Sequence, residues 1–188
     1  MNPGFVHLHV HSEYALADSI IRIPDKPEYG NPAKAQQPNL ISHACALRMP
    51  ALALTDDSNL FALVKFYKAA VANGIKPIAG CDLWLRGEGQ SEARRLTLLC
   101  QDHAGYLNLS RLVSRAWREG QQGGRAIVEE HWLDAASGGL IALAGPGSAL
   151  AQGALAGHAD SALLERMRRR FHERLYLELT RTGRVHEE

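Results

Sequence analysis

Two patterns of apolar positions alternate along the chain. Short runs in which almost every residue is apolar read as strands buried on both faces. They are "PALALTDD" (50–57), "IKPIAG" and "CDLWLR" (75–86), "RLTLLC" (95–100), "GGLIALAG" (138–145) and "LYLELT" (175–180). An opening segment, "FVHLHV" (5–10), alternates apolar residues with histidine and reads as the first strand. Between these runs the apolar period lengthens to that of a helix. "LISHACALR" (40–48) predicts a short helix. "NLFALVKFYKAAVANG" predicts an amphipathic one, with Leu60, Leu63, Val64, Tyr67 and Val71 as its apolar stripe. Gly74 suits the left-handed position just past its end. Tyr106, Leu109, Leu112, Val113 and Trp117 mark a further helix, and another is expected over about 160–172.

Strands that alternate with helices and are continuously apolar point to a parallel α/β fold. Residues 87–94 break the pattern as a polar loop. Residues 19–39 break it more strongly, with Pro24, Pro27, Pro32 and Pro38 and neither period. That segment is expected to be a surface excursion outside the core.

Composition narrows the class. At 188 residues, 46% hydrophobic and 22% charged, the chain suits one globular domain. A net charge of +1 supplies no general field toward nucleic acid or membrane. Cys45, Cys81 and Cys100 are widely spaced and lack a CxxC, which suits buried thiols in a reducing compartment. There is no apolar leader and no run long enough for a membrane span, so a cytoplasmic protein without a membrane partner is expected.

The candidate chemistry starts at the first strand. His7, His9 and His11 occupy alternate positions, which in a regular strand share one face. Imidazole is a common ligand for zinc and related ions, although an exposed polar strand edge has the same pattern. In parallel α/β folds ligands sit at the carboxyl ends of strands. Asp18 follows the first strand, Asp56 and Asp57 end the second, and Asp82 follows "IAGC". Histidines and carboxylates converging there would suit several divalent ions that activate water and clamp a phosphate. The structural alternative for Asp57 is the N-cap of the helix that begins nearby.

"FVHLHVHSEY", "ALALTD", "LVKFYKAA", "GIKPIAGCDLWL", "LTLLCQDHAGYLNLSRLVSRAWREG", "GGLIAL" and "LYLELTRTGR" carry a resemblance across nearly the whole chain except 19–39. In that order they resemble the polymerase and histidinol phosphatase (PHP) domain family, in the form that opens the alpha subunit of bacterial replicative DNA polymerase III. The resemblance implies a distorted seven-stranded β/α (PHP-type, TIM-like) barrel, incomplete in a chain of this length. It implies that the polymerase domains lie elsewhere and that residues 1–188 are a PHP fragment with a proline-rich insertion.

The resemblance also implies a set of metal ligands. The paired histidines match His9 and His11, with His7 outside the set. Family acidic positions match Asp18 and Asp82. The family's Thr-Asp-His matches Thr55, Asp56 and Asp57, so a histidine has become aspartate. The histidine that precedes "LTLL" is Arg95 here, and a family cysteine aligns with Pro146. His9, His11, Asp18, Asp57 and Asp82 are therefore expected to form a metal-site remnant, with Arg95 as a cation in place of metal. No catalytic residue is assigned. No cofactor is expected beyond weak zinc or manganese at the remnant.

Two functions stand beside each other at this point. One is a structural and docking module for the rest of the polymerase chain and the proofreading exonuclease subunit, reaching the replisome and DNA through the full-length protein. The other is a metal-dependent phosphoesterase or 3′–5′ exonuclease. A polymerase active site needs clustered carboxylates on a palm domain, and nothing after residue 100 supplies them. His43, His103, His131, His158, His172 and His186 read as surface residues. "RMRRRFHER" (166–174) reads as a solvated helix face in preference to a phosphate contact. Cys81 reads as a buried thiol, and "GPGSALAQG" lacks the ending of a phosphate loop.

Overall fold

The computed structural model describes residues 4–16, 18–24, 39–155, 157 and 161–179. The chain divides into two compact units, Met1–Cys81 and Asp82–Glu188. It is a mixed α/β chain. Its strands are β1 (Ala51–Leu54), β2 (Lys76–Arg86), β3 (Ala93–Cys100), β4 (Gln121–Gln122), β5 (Arg125–Glu129), β6 (Leu140–Ala144) and β7 (Leu175–Leu177). Its helices are α1 (Leu40–Ala46), α2 (Leu63–Ala72), α3 (His103–Glu119), α4 (Leu133–Ala136), α5 (Ala149–Leu155) and α6 (Ser161–Phe171). The seven strands run in the order β4-β5-β2-β3-β6-β7, with β1 on β2 off that path, and no pairing closes the sheet among the described residues.

In the first unit β1 pairs parallel with the start of β2, Ala51 opposite Lys76 and Leu54 opposite Ala79. α1 begins where the Asn39 side chain accepts from the Ser42 N–H and Ser42 returns the bond to Asn39 N–H, a reciprocal cap. Leu52, Leu54, Ile41, Phe66 and Ala70 form the core with Ile23.

Ile23 corrects the expectation for 19–39. It is 2% exposed within that core, so this one residue of the segment is a core residue, while Ile20, Ile21 and Arg22 before it are exposed. The Leu40 N–H donates to Arg22 O at 2.9 Å, which anchors the backbone here beside the start of α1. Residues 25–38 of the expected excursion lie outside the described residues. Ile23→Val should therefore cost about 1 kcal/mol in urea unfolding. No change would restore the surface reading.

α2 also differs from expectation. Phe66 and Ala70 are its buried residues, while Val64, Tyr67 and Val71 are more than half exposed. Both faces of this helix are apolar, so periodicity locates the helix but does not choose its buried side. Gly74 takes φ +73°, as expected for the residue past a helix end.

The expected first strand is the other correction in this unit. Residues 5–10 join no ladder. The Ala53 N–H donates to His7 O at 2.9 Å and the Thr55 N–H to Val10 O at 2.8 Å. Three steps on one side thus face two on the other, and the surplus residue breaks regular pairing as a bulge does.

The second unit mixes strand directions, against the parallel expectation. β2 pairs parallel with β5, and β6 with β7, but β3 pairs antiparallel with β6 and β4 with β5. The connection from β2 to β3 is too short for a crossover, and Gly89 turns it at φ +73°. "IKPIAG" and "CDLWLR" are one continuous strand, and the strand β5, "RAIVE", is an element that the apolar pattern did not single out. α3 buries Leu109 and Leu112 as expected and Ala116 besides, with Tyr106 and Trp117 at its exposed margins. The buried core of this unit includes Leu98, Val128, Leu133, Leu140, Met167 and Phe171.

Candidate functional site

In the first unit the site is built on residues 9–19 and 55–59. The His9 and His11 rings lie 5.3 Å apart between centroids. Asp18 stands beside them, with Oδ2 3.9 Å from His11 Nδ1. The Ser19 hydroxyl donates to His11 O at 2.8 Å and folds this segment back on the histidines. His7 is apart from the pair and packs its ring edge-on against Phe5 at 4.8 Å.

Asp56 is 2% exposed and accepts from Ser12 twice, from the backbone N–H at 2.6 Å and from the hydroxyl at 2.7 Å. Asp57 is half-buried and accepts from the Ser58 hydroxyl at 2.8 Å. It is not the N-cap of α2, whose N-cap position is Ala62. Ser58 has φ +54°, and the Asn59 amide donates to Tyr14 O and Asp57 O, so the chain turns sharply here. Cys81 is buried, and its thiol lies 3.2 Å from Asp56 O.

Asp82 is the residue at which the second unit begins. It is 1% exposed. Its Oδ1 accepts from the Thr97 hydroxyl at 2.5 Å, and its Oδ2 lies 3.4 Å from Arg95 Nη1. Thr97 and Asp82 are both buried, each within a run of four buried residues on its strand. The Arg95 guanidinium is also 4.6 Å from the centre of the Trp84 ring, and Arg125 lies 4.2 Å from the same ring. A stacked, planar cation of this kind loses little hydration when it faces a carboxylate. Pro146 lies exposed in the loop after β6.

Within the first unit, His9 and His11 supply two imidazoles, with the Asp18 carboxylate beside them. Such a set suits a divalent cation that keeps open positions. The alternating spacing of the opening segment pointed to His9 and His11. It could not show the Ser12–Asp56 pair, because the partners are 44 residues apart.

Elsewhere, His43, His103, His131 and His172 are exposed, while His158 and His186 lie outside the described residues. The arginine-rich helix α6 is only in part a solvated face. Arg166 and Arg170 turn inward and pair with Glu130, which is 2% exposed. Burial raises the Cys100 thiol to about 11, with Asp102 adding to the shift, so it is protonated and unreactive at neutral pH. No helix among the described residues is long and apolar enough to cross a membrane.

The model of the PHP domain matches residues 7–182. A DNA polymerase III subunit alpha from Xylella fastidiosa is 53% identical over 188 residues, covering 98% of this chain and 16% of its own length. A protein of the same name from Pseudomonas aeruginosa is 42% identical over 197 residues, with 100% and 15% covered. The chain thus spans less than a fifth of the length of the curated relatives that it matches. Among solved structures, an amidohydrolase from Chromobacterium violaceum aligns with a TM-score of 0.40 at 23% identity, over 61% of this chain and 34% of that one.

Proposed function

Since this chain belongs to the PHP domain family, we propose that it is the amino-terminal domain of a replicative polymerase alpha subunit and acts there as a structural and docking module. Its strands fit a distorted seven-stranded β/α barrel of the PHP type. Its partners are then the rest of the polymerase chain and the proofreading exonuclease subunit, with DNA and the replisome reached through the full-length protein. The setting is the cytoplasm, and the domain alone carries no polymerase activity.

The observation that carries this reading is the Arg95 guanidinium against Asp82. A metal site keeps its carboxylates for cations. Here one is engaged by a permanent cation and by the Thr97 hydroxyl. A buried carboxylate balanced in this way needs no metal to offset its desolvation. Asp57, Arg95 and Pro146 stand where the family places donors, so a full multi-metal cluster does not fit the residues present. His9 and His11, with Asp18 beside them, are donor types that suit one divalent cation. When bound, a divalent cation would lower the pKa of its water and polarise a phosphoryl oxygen. That donor set supports the second reading, a metal-dependent phosphoesterase.

Zinc and manganese content of the tag-free chain, wild type beside Arg95→His, tests the assignment. Substoichiometric metal in the wild type and a clear gain in Arg95→His are expected. Stoichiometric metal in the wild type would favour the phosphoesterase. The docking role is read by capture of the relatives' proofreading subunit on full-length alpha subunit with and without chelator. Capture should be indifferent to chelator, and capture that requires metal would reject the role as stated. Arg95→Ala should cost about 2–3 kcal/mol, because it removes the cation that faces the buried Asp82 carboxylate.

A further inference from the structure

The His9–His11 pair is placed without a ladder, so something other than strand pleating must hold it. We propose that Thr55 and Asp56 are its positioning residues, clamping the backbone on both sides of His11. The inference rests on the reading of His9 and His11 as ligands of a divalent cation.

The clamp has two jaws. On one side the Thr55 hydroxyl accepts the Val10 N–H at 3.0 Å and lies 3.1 Å from Val10 O, which also accepts the Thr55 N–H at 2.8 Å. On the other, the Asp56 carboxylate takes the Ser12 N–H at 2.6 Å and the Ser12 hydroxyl at 2.7 Å. Val10 and Ser12 flank His11, and Val10 also follows His9. Thr55 and Ser12 are both 0% exposed and Asp56 is 2% exposed. Water therefore cannot substitute for either jaw, and charge-assisted bonds from a buried carboxylate are the stronger kind. The Ser12 hydroxyl also accepts from the Tyr14 N–H at 3.2 Å, which extends the hold into the short 3₁₀ turn Glu13–Ala15.

Fixing the backbone fixes where two imidazoles can aim. Without the clamp, residues 9–12 would have to be ordered when the ion binds, and that entropy would be subtracted from affinity. Groups behind metal ligands typically matter by 10–100-fold in affinity. Asn at position 56 keeps an acceptor for the Ser12 N–H and can donate to the Ser12 oxygen. Position 56 therefore needs shape more than charge, unlike a metal ligand.

The test is zinc affinity of the 188-residue chain by competition with a chromophoric chelator, with thermal melting of each variant as the control for folding. Asp56→Ala and Thr55→Val should each weaken zinc by about tenfold or more while the chain remains folded. Asp56→Asn should recover most of the loss. Unchanged affinity in folded Asp56→Ala or Thr55→Val would overturn the clamp, as would an Asp56→Asn variant no better than Asp56→Ala. If Asp56→Ala does not fold, Thr55→Val and Asp56→Asn decide it by the same criteria. If the wild type takes up no zinc, the ligand reading fails by itself. The clamp is then read from the His9 and His11 imidazole resonances without metal. Single dispersed sets in the wild type that broaden in Thr55→Val would support it, and identical spectra would overturn it.

Discussion

Glu130→Gln should destabilise the chain by about 3–5 kcal/mol at pH 7, the largest effect expected of any single change in the second unit. Glu130 opens the 3₁₀ turn Glu130–Trp132 after β5 and is 2% exposed. Arg166 Nε donates to its Oε1 at 2.7 Å, Arg170 Nη1 donates to the same oxygen, and the Glu88 N–H donates to Oε2 at 3.1 Å. Arg170 is held in turn by Asp134, 2.6 Å away. One carboxylate thereby ties α6 to the β2–β3 connection. Removing its charge takes away the buried anion that Arg166 and Arg170 share and leaves only Asp134, 62% exposed, on Arg170, and that loss is the source of the cost.

The same site gives a pH signature. Burial raises the Glu130 pKa, but the hydrogen bonds from Arg166 and Arg170 and the Glu88 N–H outweigh it, and the carboxyl is lowered from 4.5 to about 2. A carboxyl depressed in the folded state contributes stability above its unfolded pKa and loses it on acidification. The contribution should be complete above about pH 5 and fade as pH falls from 4.5 through 2. Urea unfolding across that range should show the decline in the wild type and a shallower one in Glu130→Gln. Parallel curves for the two proteins would exclude Glu130 as the source.

Gly105→Ala is expected to cost about 3 kcal/mol, although alanine is the better helix former by about 1 kcal/mol. Gly105 lies in the first turn of α3, and its N–H donates to the Asp102 cap at 2.8 Å. A Cβ there would stand 1.9 Å from Gly139 O. That oxygen cannot withdraw freely, because it accepts the Gln101 N–H at 2.8 Å. Gly139 itself holds φ +69°, and a Cβ on it would lie 2.3 Å from Asp102 Oδ1. The two glycines thus let the start of α3 sit directly on the turn before β6. Denaturant unfolding decides the sign. A stabilised Gly105→Ala would mean that the contact is looser than described.

Much of this was legible locally. Continuous apolar runs marked β1, β2, β3 and β6 because a strand buried on both faces needs nothing else. Helices α1, α2 and α3 followed from their apolar period, and Gly74 marked the end of α2, because both signals act within a few positions. The paired histidines and the succession of motifs were likewise sufficient to identify the PHP resemblance.

The apolar pattern could not choose between two apolar faces on α2, so it favoured Val64, Tyr67 and Val71, which are exposed, over Phe66 and Ala70, which are buried. It could not see that Ile23, among prolines, enters the core, because a single residue carries no period. Nor could it pair charges across long stretches of chain. Arg166 and Arg170 meet Glu130 from 36 and 40 positions away, and Ser12 meets Asp56 across 44. Sequence by itself determined most of the strands and helices, though not β5, and the donor types, since short-range sterics and burial of apolar runs act within a few residues. Only the tertiary structure decided which helix face is covered, which strands run antiparallel and which carboxylate balances which arginine. Those choices minimise the cost of burying polar groups over the whole unit, and that cost depends on partners that only folding brings together.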